Sequence, residues 1–540
     1  MTKTNPIVHG LMMDVPLTIP SLLTFAARYH SETEIVSCTS DLGRFRYNYA
    51  KAQRRAGRLS NALRRLGIKR GDRVGTFAFN DHRHFELYFA IPALGAIVHT
   101  INPRIGAEAL SYIVKHADDK LIFVDPSLLA TLHGAIPDFP LERLVILTGD
   151  RTLAGQYPGI LIYEDLLLNE SEDFALVDIE EREASGLCYT SGTTGMPKGA
   201  LYSHRSTVLV AMAACAAGAM AISGAETVLP VVPMFHVNAW GVVHASAMAG
   251  AKLVLPGANL SASALTPLMD DEAVTISVGV PTVWRDLLIH LDETGRKPRV
   301  LSRLVMGGSN PPSEMIDGFE LRHGISILHG WGMTEIGGTG SIGTAHHGSS
   351  QLADADKRKL KLKQGHALWG SDLRLIDDAG KEVPADNTSS GHLMIRGPWV
   401  VGGYFGNDDN SSFENGWFRT GDVARIDADG FLEITDRAKD VIKSGGEWIS
   451  SLAIEAVARE HPAVADAAVI GIPDPKWQER PLLIVVPRER HTVVQDELLD
   501  FVGARLPKWW RPEGVVFSDT LPRNANGKVL KTALRDQYVI

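Results

Sequence analysis

Along the first 180 residues the apolar positions alternate between two rhythms. Tyr49 to Leu66 carries apolar residues at helical spacing among arginines and lysines, a basic amphipathic helix that Gly67 closes. The turn KRGDR follows, then a strand over Val74–Phe79, a helix around Phe85–Leu94 and a short strand at Val98–Ile101. Strand-like runs return at Val228–Val232, Lys252–Leu255, Val274–Gly279, Leu301–Gly307 and Ile325–His329. This rhythm predicts parallel strands with helices on both faces. From about residue 365 the pattern shortens. SDLRLIDD, GHLMIRG, WFRTGD and VARIDADGFLEITD are separated by turn pairs such as Asn415-Gly416 and Asp429-Gly430. After Asp436 helices return, with strands at Ala465–Ile472 and Leu482–Pro487. The order predicts an α/β fold. A large N-terminal domain, residues 1–438, combines parallel-type βαβ sheets with a β-barrel-like subdomain at about 365–436. A small, mobile α+β C-terminal domain spans 439–540.

Composition narrows the class. At roughly 100–200 residues per domain, 540 residues exceed one ordinary core. The net charge of -9 argues against nucleic acid as a partner. Cys38, Cys188 and Cys215 lack pairing or metal-ligand spacing and read as buried small hydrophobes in a reducing compartment. The start, MTKTNPIVHGLMMDVPLTIPSLL, is interrupted by Asp14 and three prolines and is a poor signal peptide. The apolar run Thr207–Ile222 falls short of the ~18 residues of a membrane span and reads as a core helix. A cytoplasmic enzyme is expected. The basic run Lys357–Lys363 reads as a solvated face.

Several short stretches carry chemistry. In YTSGTTGMPKGA (189–200), Gly192, Gly195 and Gly199 let the backbone approach a ligand. Thr190, Ser191, Thr193 and Thr194 add hydroxyls and Lys198 a cation, a combination suited to a polyphosphate. The spacing is not that of the common P-loop. In GWGMTE (330–335), Trp331 offers a ring for a purine, Thr334 a hydroxyl and Glu335 a carboxylate for Mg²⁺. Thr420-Gly421-Asp422, read as a strand end, places a carboxylate for ribose hydroxyls. Arg437-Ala438-Lys439-Asp440 and Lys443-Ser444-Gly445-Gly446-Glu447 set cations around a glycine pair. Pro522-Arg523-Asn524-Ala525-Asn526-Gly527-Lys528 leaves a lysine on a glycine turn. Singly, each also reads as an ordinary turn, surface patch or solubilising tail.

Together and in this order, from about Ser21 to Ala533, they resemble the adenylate-forming superfamily: acyl-CoA synthetases, beetle luciferases and the adenylation domains of peptide synthetases. VPMFHVNAW (232–240) and GVPTVW (279–284) are similar to fatty-acyl-CoA synthetases of the medium- and long-chain kind. The chain also looks like relatives that activate 3-methylmercaptopropionate in bacterial dimethylsulfoniopropionate degradation. The resemblance implies an ATP-binding loop of Thr190, Ser191, Gly192, Thr193, Thr194, Gly195 and Lys198. It implies Mg²⁺ at Thr190 and Glu335. Adenine would lie by Gly308, Ser309, Trp331, Gly332 and Met333, the α-phosphate by Thr334, the ribose by Asp422 and Arg437. The acyl pocket would take in His236, Trp240 as its gate, Val280, Gly307 and Gly332. His236, Thr334, Glu335 and Lys528 would be catalytic, Lys439 the hinge, and Lys443, Gly445, Gly446 and Trp448 the coenzyme A face. Tyrosine is commoner where Trp331 stands, which bears on pocket shape. His236 also reads as a satisfied core histidine.

The implied reaction forms acyl-AMP and pyrophosphate from ATP and a carboxylic acid, and then acyl-CoA and AMP. The acid is expected to be 3-methylmercaptopropionate or a short- to medium-chain fatty acid, and the assembly a homodimer. Competing readings are a long-chain synthetase, an adenylation enzyme loading a separate carrier protein (12 residues follow Lys528, so no fused carrier is expected), a light-emitting oxidase and a non-catalytic nucleotide sensor. The sensor reading predicts eroded charged positions, yet Lys198, Glu335, Asp422 and Lys528 are present.

Overall fold

A computed structural model describes residues 10–175, 177–190, 196–296, 298–408, 411–444, 447–488, 494–523 and 528–539. The basic helix forms over Tyr49–Arg65, its first turn capped by the Asn48 side chain, which accepts from the Lys51 N–H. It packs in a helical layer with Ile19–Tyr29, His82–Ala90, His204–Cys215 and Val242–Ala249. One apolar cluster joins that layer to two large sheets, taking Val74, Val98 and Leu121 from one and Val228, Leu253 and Ile276 from the other.

The first sheet has seven strands. Leu161–Ile162, Leu144–Ile146, Asp119–Val124, Arg73–Phe77, Ile97–Thr100 and Ala184–Tyr189 run parallel in that order, and Gly199–Ser203 adds an antiparallel edge. The second has nine. Ser326–Met333, Arg303–Met306, Ile276–Gly279, Thr227–Pro230, Lys252–Leu255 and Glu34–Thr39 form its parallel centre, with antiparallel strands outside at both edges. A third, antiparallel sheet of five strands holds Asp372–Ile376, Gly391–Arg396, Phe413–Glu414, Trp417–Ile426 and Leu432–Arg437. Beyond Lys439 a further five-stranded sheet, built on the long pair Val464–Asp474 and Gln478–Pro487, packs against helices Ser451–Arg459 and Gln495–Gly503. The mixed α/β class expected from the pattern is the one observed.

Three local readings need correction. The run Thr207–Ile222 is not one helix. The helix His204–Cys215 stops at Ala216, which is extended, and Ala221 turns back at φ 53°, so Ala219, Met220 and Ile222 are buried from a loop. Thr420-Gly421-Asp422 lies inside the strand Trp417–Ile426, because Gly421, at φ 75°, bends the chain without ending the pairing. Trp331 stands within the strand Ser326–Met333 rather than after it. Of the cysteines only Cys188 is fully buried; Cys38 and Cys215 are half-buried, and burial pushes all three thiols above their ordinary range. Lys357–Lys363 lies largely on the helix Asp354–Leu362, which buries none of its residues. Among the described residues, no helix is long and apolar enough to cross a membrane.

Candidate active site

Several of the residues expected from the sequence follow the carboxyl ends of parallel strands. Thr190 follows Ala184–Tyr189, His236 follows Thr227–Pro230, Val280 follows Ile276–Gly279, Gly307 to Ser309 follow Arg303–Met306, and Thr334 and Glu335 follow Ser326–Met333. Strand ends of this kind open onto crevices where ligands bind, since the loops there are free of pairing duties.

The loop after Ala184–Tyr189 is a hairpin closed at its base. The Thr190 N–H donates to the Lys198 carbonyl at 2.9 Å, and Tyr189 pairs with Gly199. Ser191, Gly192, Thr193, Thr194 and Gly195 lie outside the described residues. The Lys198 ammonium stands 5.0 Å from the Tyr404 ring centre, and the Tyr404 hydroxyl donates to Glu335 Oε1 at 2.8 Å. The loop's cation and the buried carboxylate are thereby brought together through one aromatic ring. Burial raises the Glu335 carboxyl, with the Tyr404 hydrogen bond opposing it. Tyr202 donates its hydroxyl to the Thr334 carbonyl at 2.7 Å and holds the turn from below. Neither tyrosine was picked out from sequence. Tyr404, in GGYFGN, had a glycine pair as a signal; Tyr202 had none. Among the described residues no group of three or more His, Cys, Asp or Glu side chains could hold a metal. One buried carboxylate beside a phosphate-type loop does fit Mg²⁺, which usually takes one or two carboxylates and completes its shell with phosphate and water.

Asp422 is the centre of a second cluster. Its Oδ2 accepts from the Trp331 indole N–H at 2.8 Å, and its Oδ1 pairs with Arg437 at 2.9 Å. The strand register puts Asp422 directly opposite Arg437, so the pair is built into the sheet. Trp331 packs among Ile336, Leu375 and Leu393, and the close approach of Gly340 leaves room for the ring. Gly332 is required for a different reason: a Cβ there would lie 1.6 Å from the Gly338 carbonyl oxygen.

His236 opens an uncommon turn. Val237, Asn238, Ala239 and Trp240 all have φ between 48° and 54°, a left-handed run without glycine, closed by Gly241. Each such residue costs about 1–2 kcal/mol relative to the right-handed form, and strain of this kind gathers at functional sites. The surroundings hold it. Asn80 binds the Pro230 and Val232 carbonyls and the Met234 N–H, and Tyr88 donates to the Met234 carbonyl and to Asn238 Oδ1. The Trp240 ring lies against Gly307, where a Cβ would meet it at 3.1 Å, and Val280 borders Gly308. Burial, and then the charge of Lys528, hold His236 down to about 4, so its imidazole is neutral at ordinary pH.

The charge of Lys528, from the segment beyond Lys439, thus reaches His236. The Lys528 hairpin closes through an Arg523–Val529 bridge and a Leu530 N–H to Pro522 carbonyl bond of 2.8 Å, while 524–527 lie outside the described residues. Protein surrounds the ammonium on most sides and lowers it to about 8. Arg437 and Lys439 push the same way and Asp422 opposes. The residue as a whole is exposed. Lys443 and Trp448 are elsewhere. Lys443 reaches Asp378 at 3.2 Å and sits 5.5 Å from the Trp448 ring centre, and Trp448 meets His392. Gly445 and Gly446 lie outside the described residues. The charge of Lys528 thus reaches His236 and is itself acted on by the Asp422–Arg437 pair, while Lys443 and Trp448 lie at the antiparallel sheet.

Comparison with known proteins bears on family and fold. A family model described as AMP-binding enzyme matches residues 23–405, and one for the AMP-binding enzyme C-terminal domain matches 453–528. The chain is 46% identical to the 3-methylmercaptopropionyl-CoA ligase of Ruegeria lacuscaerulensis, covering 98% of each chain. It is 44% identical to the medium-chain-fatty-acid–CoA ligase of Ectopseudomonas oleovorans, covering 98% of this chain and 97% of that one. The solved structure of the anthranilate CoA ligase AuaEII with anthranoyl-AMP superposes with a TM-score of 0.83 at 24% identity, over 97% of this chain and 98% of the other, which is a likeness of fold.

Proposed function

The chain belongs to the AMP-binding enzyme family, and from that premise we propose that it is an AMP-forming acid–thiol ligase that makes acyl-CoA in two steps. The acid is 3-methylmercaptopropionate or a short- to medium-chain fatty acid, in keeping with the two relatives above. Mg²⁺ at Thr190 and Glu335, a homodimeric assembly and a cytoplasmic location belong to the same reading. The observation that supports it is the Asp422–Arg437 pair, whose charges act on Lys528, while the charge of Lys528 acts on His236.

A carboxylate is a poor electrophile because its leaving group would be oxide. Attack of a carboxylate oxygen on the α-phosphorus of ATP forms an acyl–phosphate bond and breaks the bond to pyrophosphate. The thiol sulfur of coenzyme A then attacks the acyl carbon, loses its proton to solvent and expels AMP. The protein's share is positioning and charge. Neutral His236 donates a hydrogen bond to the incoming carboxylate. Lys528 offsets the repulsion between carboxylate and α-phosphate. Asp422, with Arg437 beside it, holds the ribose hydroxyls. Mg²⁺, when bound, neutralises phosphate charge. For the second step the segment beyond Lys439 turns about that residue and brings Lys443 and its glycine pair to the cleft.

The reading is tested by pyrophosphate release across straight-chain acids from acetate to palmitate with 3-methylmercaptopropionate included. A maximum at the thioether acid or at short to medium chains is expected, and one at palmitate overturns the acid assignment. Trp240→Ala should shift that profile toward bulkier acids. Its fold is checked by melting, since truncating a packed tryptophan costs up to ~3–5 kcal/mol. An unchanged profile in a folded variant removes Trp240 from the acyl site.

The lowered lysine sets the pH dependence. Lys528 is charged below about 8 and neutral above it. The kcat/KM for adenylation, which reports the free enzyme, should therefore fall as pH rises through about 8 rather than near the ordinary lysine value. Lys528→Arg should abolish that limb. A profile flat well beyond pH 8 contradicts the role.

A further inference from the structure

Lys531 follows Lys528 by three residues and opens the helix Lys531–Tyr538. Its side chain is 8% exposed, and a lysine is rarely buried unless paired. Here the pairing is complete. Lys531 Nζ lies 2.6 Å from Glu455 Oε1 and donates to Ser451 Oγ at 2.5 Å. Ser451 in turn donates to Asp436 Oδ2 twice, from its hydroxyl at 2.7 Å and its backbone N–H at 2.6 Å. Asp436 Oδ1 accepts from the Arg437 N–H at 2.7 Å, and Glu455 Oε1 also accepts from the Val469 N–H at 2.9 Å. Asp436, Ser451 and Glu455 are all buried.

The chain of contacts has a direction. Asp436 sits in the antiparallel sheet, next to Arg437 and opposite Val423, on the amino-terminal side of Lys439. Ser451 and Glu455 belong to the first helix beyond Lys439, and Lys531 to the last. One turn later Arg535 binds the Asp440 carboxylate at 2.8 Å and the Lys439 carbonyl at 3.1 Å. The helix that carries the Lys528 hairpin is therefore tied to the strand that carries Arg437, across the residue about which the segment would turn. No atom of this relay is among those assigned to substrate. Its ions are costly to bury unless each keeps its partner, so it holds one relative placement of strand and helix and is poor in any other.

We propose that Lys531, acting through Ser451 on Asp436, is a positioning residue that fixes the placement of Lys528 for adenylate formation and has no part in thioester formation. The inference rests on the two-step reading above, in which Lys528 serves only the first step. A small misplacement of a catalytic group costs up to about a hundredfold in rate. Lys531→Met keeps the length of the side chain and removes the charge.

Adenylation from ATP and acid should fall by about ten- to a hundredfold in Lys531→Met, while thioester formation from prepared acyl-adenylate and coenzyme A stays within about threefold of the parent enzyme. Adding Glu455→Gln, which removes the carboxylate left without its lysine, should return part of the adenylation rate. Melting curves and the thioester half-reaction report whether each variant is folded. Equal loss in both half-reactions, absence of any rescue by Glu455→Gln, or unchanged adenylation in the folded Lys531→Met protein overturns the assignment. If Lys528→Ala itself slows both steps equally, the two-step reading has failed and this inference falls with it. If Lys528→Ala separates the steps and Lys531→Met does not, this inference alone is wrong.

Discussion

Replacing Lys528 with alanine is expected to slow acyl-adenylate formation by roughly a hundredfold or more, the scale for losing one positioned electrostatic contact. Thioester formation from chemically prepared acyl-adenylate and coenzyme A should stay within a few-fold of the parent enzyme. The asymmetry follows from where the charge is needed. In the first step two anions, carboxylate and α-phosphate, approach each other, and a cation beside them offsets their repulsion. The charge of Lys528 acts on His236, and Asp422 and Arg437 act on Lys528. In the second step a neutral acyl carbon meets a thiol, and a cation beside the α-phosphate has less to offset. Because Lys528 keeps exposed surface, its removal should leave the melting temperature nearly unchanged. Equal slowing of both steps would make the lysine structural or the alternation wrong.

Glu335→Gln is expected to lower adenylation by about a hundred- to a thousandfold and to raise the Mg²⁺ concentration needed for half-maximal rate. The substitution keeps shape, and the amide oxygen can still accept from Tyr404, whose hydroxyl lies 2.8 Å from the carboxylate. What is lost is the charge. Glu335 is 7% exposed, and burial raises its carboxyl, so the fold disfavours the ionised form. The sign for stability is therefore the reverse of that for activity. At neutral pH the neutral amide removes a desolvation cost, and the variant should melt at the same temperature or higher. Near-normal adenylation at saturating ATP and Mg²⁺ would remove Glu335 from the metal site.

The parts of this account that were legible in the sequence are those carried by short stretches. The alternation of strands and helices is local, and the phosphate-type loop at 189–200 spends its glycines and hydroxyls within a few residues. What was not legible depends on the fold. The Trp331 indole finds Asp422 only because two different sheets meet there. Tyr202 and Tyr404 are ordinary tyrosines until the chain brings them under Thr334 and beside Lys198. Of Val237 to Trp240 only Asn238 has a local preference for left-handed backbone, and Asn80 and Tyr88, distant in sequence, hold the turn. Thr420-Gly421-Asp422 misled in the opposite sense. Gly-Asp reads as a turn, and the sheet absorbs it as a bend within a strand. Lys531 escaped because a lysine near a glycine turn reads as surface, whereas two buried partners on the helix Ser451–Arg459, Glu455 and Ser451, hold it.

The central claim is that acid activation precedes, and does not need, the thiol. It is tested most directly by exchange of labelled pyrophosphate into ATP, measured with and without the acid and with coenzyme A left out. The account predicts exchange that depends on the acid and on Mg²⁺, proceeds without coenzyme A, and gives way to AMP and acyl-CoA in equal amounts when coenzyme A is added. Exchange that requires coenzyme A, or a reaction that yields ADP and phosphate in place of AMP and pyrophosphate, would contradict it.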